Sequence, residues 1–128
     1  MICKEFKGRA VVSGRVEGEA LLVDSISFYG DVDPHTATLF DGRSVTNKVI
    51  IAGRPRGSTV GPYVLYSLKQ KGLEPKAILL ASKSDPVLVA GAVLADVVLI
   101  DNLPREVLEV KEGSQIFIDE NGVVKVCL

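Results

Sequence analysis

Tryptophan is missing from this chain of 128 residues, histidine occurs once and cysteine twice, and each scarcity closes a route. A lone histidine, His35, cannot make a zinc-protease site or a serine triad that relies on imidazole. Cys3 and Cys127 stand near opposite ends in no C-x-x-C spacing, so neither a zinc site nor a dithiol motif is indicated. They are expected as buried thiols, neighbours if the terminal strands pair, with no disulfide in a cytosolic chain. Two thiols are also too few to hold a four-iron cluster unaided. Fifteen basic against sixteen acidic residues leave a net charge of -1, so there is no global field of the kind that draws nucleic acid, and any anion site must be local. Long apolar runs are lacking too. The most apolar stretch, residues 86–100, is broken by Asp96 and too short for a bilayer, and Lys4, Glu5 and Lys7 interrupt the start too early for a signal peptide. No membrane role is indicated, and the expected location is the cytoplasm. Residues 53–59 have too few positions between their glycines for a P-loop and no lysine, and G-x-G-x-x-G is absent.

What is present is an aliphatic core, 47% hydrophobic with 5% aromatic residues, enough for one domain over residues 1–128. The chain is organised around residues 49–72. Val49, Ile50 and Ile51 form a β-branched run with the pattern of a strand buried on both faces. Arg54 and Arg56 then flank Pro55, Gly57 permits close backbone approach, and Ser58 and Thr59 are both good N-caps for a helix whose face is Val60, Val64 and Leu68 and whose end is Gly72. A serine at a helix N-terminus between two arginines favours a nearby anion: a phosphate, a carboxylate or its own alkoxide. A cap with solvated loop charges is the plainer alternative.

In chain order, residues 2–12 and 19–24 read as strands, and residues 25–35 as a loop that spends Phe28 and Tyr29. Aromatics in a loop pack beneath it or against a partner, and the second is expected, with residues 29–35 and 53–59 on one edge. Thr38 to Phe40 reads as a short strand. Ala77 to Ala81 and Val97 to Ile100 are further buried strands, separated by an almost wholly apolar helix with Asp85 as N-cap and Pro86 at its first position, which must be covered on more than one side. This is a βαβαβ unit with parallel strands. Residues 115–126 form a hairpin with Asn121-Gly122 as a type I′ turn. The fold class is α/β: a β-rich layer from both termini packed on a small parallel layer, with helices outside.

Ser27-Phe28-Tyr29-Gly30-Asp31-Val32-Asp33-Pro34, then Arg56-Gly57-Ser58-Thr59-Val60-Gly61, then Tyr63-Val64-Leu65-Tyr66, in this order and at these distances, resemble the small subunits of aconitase X-type dehydratases, over nearly the whole chain. The resemblance implies a swivelling β/β/α domain, akin to the mobile domain of aconitase. Such a domain closes over a 4Fe-4S cluster held by a large subunit, in a heterodimer. Among archaeal members the implied reaction is dehydration of 5-phosphomevalonate, a small phosphorylated hydroxy acid, to trans-anhydromevalonate 5-phosphate. The family's proton-accepting serine falls on Ser58, and Arg54, Arg56, Gly57 and Thr59 surround it as anion-binding positions. Pro55 stands where the family loop has glycine. A relative that dehydrates a hydroxyproline or another hydroxy acid is the alternative within the family. Outside it stand a phosphohistidine carrier using His35 and an anion-binding swivel module.

Overall fold

Residues 49–52 are buried without exception, and their side chains alternate between two separate cores. Ile50 and Ala52 face Leu65, Leu68, Leu88 and Ala92, while Val49 and Ile51 face Phe6, Ile116, Ile118, Val124 and Val126. The period of two along a strand makes this division, and it defines a β/β/α sandwich with one apolar layer on each side of the parallel strands. The computed structural model describes residues 2–56 and 60–127. Its strands are β1 (Cys3–Lys7), β2 (Arg9–Val12), β3 (Val16–Ile26), β4 (Lys48–Pro55), β5 (Ala77–Leu80), β6 (Val98–Asp101), β7 (Gln115–Ile118) and β8 (Val123–Cys127). The helices are a single turn α1 (Phe28–Asp31), α2 (Gly61–Gln70) and α3 (Pro86–Ala95), and a 3₁₀ turn spans Arg105–Glu109. Among the described residues no helix is long and apolar enough to cross a membrane.

The two β layers expected from the sequence are one continuous sheet in the order β1-β8-β7-β3-β4-β5-β6-β2. Strands β3 to β6 run parallel, and the remaining pairs are antiparallel. Its two edge strands are successive in sequence, joined through Gly8, so the sheet curls until its edges approach. The Gly8 N–H donates to Gly122 O at 3.0 Å. A Cβ at Gly8 would lie 2.7 Å from Asp101 O, so glycine is required at the crossing.

Asp85 caps α3 by accepting from the Leu88 N–H, with Pro86 in the first turn, and Gly72 takes the left-handed conformation (φ +72) after α2, all as the sequence predicts. Four expectations are corrected. The hairpin turn is not type I′: Gly122 is left-handed (φ +81) but Asn121 is not, and Asp119 Oδ1 accepts from the Asn121 and Val123 N–H groups instead. That side-chain bond favours the wider loop. Phe28 does not await a partner, being 3% exposed beneath its loop. The strand expected over Thr38 to Phe40 is a single bridge, Thr38 to Ser44, because Gly42 (φ +88) turns the chain back at once. Helix α3, expected to be covered on more than one side by this domain or by another chain, buries Leu88, Gly91, Ala92 and Ala95 within the domain and leaves Val93 and Leu94 more than half exposed in the single chain. Lastly, Cys3 and Cys127 are joined as a disulfide, because the β1/β8 register sets the first residue of one strand opposite the last of the other.

Candidate active-site edge

The carboxyl ends of β3 and β4 lie side by side, with Ser25 opposite Arg54 and Ile26 opposite Pro55. Beyond them the Arg56 N–H donates to Ile26 O at 2.8 Å. The Arg56 guanidinium is held on two sides: Nε donates to Ser25 Oγ at 2.8 Å, and Nη2 donates to both carboxylate oxygens of Asp31. Asp31 Oδ2 accepts in turn from the Ser27 N–H at 2.9 Å, and Ser27 Oγ accepts from the Gly30 N–H at 3.3 Å. The one-turn helix α1 is thus capped at its start and tied by charge at its end. Its four residues could not persist on propensity alone. The consequence is an arginine fixed at the root of the loop 57–59. Neither Asp31 nor Ser25 stands out in the sequence as a site residue; the signal for Asp31 was its place in the Ser27-to-Pro34 motif, and Ser25 lies just before it.

Gly57, Ser58 and Thr59 lie outside the described residues. Helix α2 begins later than Ser58 or Thr59 would make it: its N-cap is Val60, with no side-chain capping bond, and Pro62 occupies the first turn. Proline there has the fixed φ and missing N–H that the start of a helix accepts. Ser58 therefore stands two residues before the cap position.

Arg54 is exposed and has no ion pair among the described residues. It lines an open cleft of about 500 Å³ with Leu22, Asp24, Ser82, Arg105 and Leu108. A Cβ at Gly53 would lie 2.9 Å from Asp24 O, so glycine lets the two strand ends meet at the floor of this cleft. Ser82 Oγ is buried there and has no hydrogen-bond partner among the described residues. The backbone around it is fixed. Ser82 O accepts from the Asn102 N–H at 3.0 Å, and Asp101 Oδ2 accepts from the Ser84 N–H at 2.9 Å and the Ser84 hydroxyl at 2.8 Å. Asp101, fully buried, also accepts from Arg9 Nε at 2.9 Å and Nη2 at 2.6 Å. Burial pushes the Asp101 carboxyl upward, but the Arg9 and Ser84 bonds prevail and hold it below the usual carboxylate range.

Two other cavities lack these features. Between α2, α3 and the sheet lies about 20 Å³ of space walled by residues such as Ile26, Phe28, Leu65 and Leu88, which is core packing. A larger cleft, about 780 Å³, opens at the amino ends of the parallel strands among Arg15, Glu17, Asn47, Glu74, Lys76 and Asp119. His35 also belongs toward that end. Its N–H donates to Asp33 Oδ1, a bond that leads in holding the Asp33 carboxyl below its ordinary value, and the neighbouring Pro34 O accepts from Lys71 Nζ at 2.8 Å, at the far end of α2. Residues 29–35 and 53–59 were expected on one edge. Asp31 meets Arg56 there, but Val32 is extended (φ -117, ψ 127) and leads the chain away, so His35 does not.

Comparison with known proteins places these features in a family. Residues 5–126 match the family described as the aconitase X swivel domain. The phosphomevalonate dehydratase small subunit of Aeropyrum pernix is 43% identical over 94% of this chain and 92% of its own length. That of Methanothrix thermoacetophila is 39% identical over 95% and 93%. The crystal structure of Thermococcus kodakaraensis aconitase X in its holo-form superimposes with a TM-score of 0.88 at 33% identity, covering 98% of this chain and 99% of that one. The chain belongs to the aconitase X swivel-domain family.

Proposed function

We propose that this chain is the small subunit of a hydro-lyase that removes water from 5-phosphomevalonate to give trans-anhydromevalonate 5-phosphate, with Ser58 as the base. The observation that carries the reading is the clasp of Asp31, Ser25 and Arg56, which fixes the root of the 57–59 loop at the carboxyl edge of the parallel strands, where ligands of α/β sheets bind. The name of the similar subunits supplies the substrate.

The reaction breaks a C–H bond beside the substrate carboxylate and the C–O bond of the neighbouring carbon, and forms a C=C bond. This chain's part is the proton. A serine hydroxyl holds its own proton too tightly to accept another, so the alkoxide needs a dry, closed site and nearby positive charge. Arg56 is paired with Asp31 and serves as the anchor of the loop, while Arg54, without an ion pair among the described residues, is left to face an anionic group of the substrate. The two cysteines are tied to each other, and an iron–sulfur cluster takes several thiolates. The donor set of this chain therefore does not fit one, and the group that receives the departing hydroxyl belongs to a large-subunit partner.

Ser58→Ala, assembled with that partner and assayed on 5-phosphomevalonate, is expected to lower kcat by about a hundredfold to ten-thousandfold with assembly intact. Turnover near the wild-type rate overturns the assignment of the base.

A further inference from the structure

We propose that the cleft formed by Arg54, Ser82 and Arg105 at the carboxyl ends of β3, β4 and β5 is the subsite for the phosphate monoester of the substrate. This rests on the reading above and extends it to residues outside the 57–59 loop. The chain has six arginines. Arg9, Arg15, Arg43 and Arg56 are each paired with a carboxylate, and the two without an ion pair among the described residues, Arg54 and Arg105, line this one cleft. The buried Ser82 hydroxyl, without a hydrogen-bond partner among the described residues, lines it too. Asp24 is the acidic residue of the lining, which leaves the cleft a net single positive charge. The volume, about 500 Å³, admits a phosphate with the chain that carries it. Guanidinium forks match phosphate oxygens in pairs, and the hydroxyl supplies a further donor.

The choice of phosphate over the substrate's carboxylate follows from position. The proton removed is the one beside the carboxylate, so that end stays with the 57–59 loop, which leaves from β4. Ser82 follows β5 and Arg105 follows β6, on neighbouring strands, where the other end of an extended substrate reaches.

Two experiments decide it. In the assembled enzyme, Arg105→Gln is expected to raise KM for 5-phosphomevalonate about tenfold to a hundredfold, the worth of one charge-assisted contact, with kcat at saturation little changed. Slow turnover of phosphate-free mevalonate should be the same in wild type and variant. Equal losses on both substrates, or none on either, overturn the proposal. Independently of activity, the full-length chain titrated with inorganic phosphate should show amide shifts at Arg54, Ser82 and Arg105 that acetate does not produce and that Arg105→Gln abolishes, with the rest of the spectrum retained as proof of folding. Equal response to acetate, or no response at these positions, overturns it. If the assembled enzyme ignores 5-phosphomevalonate while the phosphate titration succeeds, the substrate assignment fails and the anion site stands.

Discussion

The two ends of the parallel strands carry clefts of similar composition and opposite organisation. At the amino end the cleft is the larger, about 780 Å³, but its charges are mixed and open to solvent, as in the Arg15–Glu120 pair with side chains 74% and 55% exposed. At the carboxyl end the space is about 500 Å³. Two nearby carboxylates there are taken up by arginines, Asp31 by Arg56 and Asp101 by Arg9, and Asp24 stays in the lining, while among the described residues two further arginines have no ion pair and one buried hydroxyl has no hydrogen-bond partner. Volume does not mark the end proposed as functional. What marks it is polar groups held in place and, among the described residues, left without an internal partner.

The sharpest test of this contrast removes Arg9. Arg9→Ala leaves the buried Asp101 carboxylate with only its Ser84 bonds and is expected to be the most destabilising of these changes in chemical unfolding at neutral pH. Because the carboxyl of folded Asp101 is held below its unfolded value of about 3.9, its stabilisation is present above that pH and is lost as pH falls through the folded value. Arg9→Ala should therefore flatten the acid side of the stability profile. A variant as stable as wild type with an unchanged profile would show the carboxyl edge to be no more built than the other.

Breaking the Cys3–Cys127 link, by Cys127→Ser or by reduction, tests whether either edge depends on the terminal strands. The link closes nearly the whole chain, its ends 124 positions apart, and its loss should cost about 2–5 kcal/mol while leaving phosphate binding intact. Smaller again is Asp31→Asn, which frees Arg56 from its carboxylate. Misplacement of the 57–59 loop should then lower kcat/KM of the assembled enzyme by about ten- to a hundredfold, with little change in melting temperature. The smallest effect belongs to the amino edge: Arg15→Ala is expected to leave the melting temperature and the kinetics of the assembled enzyme essentially unchanged. A kinetic effect there would erase the distinction between the two ends.

Much of this could be read in the residues. The apolar run at 49–52, the Asp85-Pro86 helix start and Gly72 depend on near neighbours: alternation along a strand, a side chain reaching a backbone N–H three residues on, a glycine free to be left-handed. The parallel βαβαβ order followed from those elements and their short connections. The motif spacing led to the family and to the loop of Ser58, which lies outside the described residues. Arg105, Ser82 and the role of Asp31 were beyond reach, for they join residues 20 to 50 positions apart that carry no local signature.

Local chemistry determined which segments are strands and helices and where several of them start and stop. Tertiary structure decided what the sheet does with them. It curled one sheet until β1 and β2 stood at its two edges, joined Cys3 to Cys127 through the β1/β8 register, buried Phe28 where a partner contact was expected, and sent Arg56 to Asp31 while leaving Arg54 and Arg105 unpaired in one cleft. Ion pairs and register depend on distances across the fold, and those are set when distant strands pair, which no stretch of sequence contains by itself.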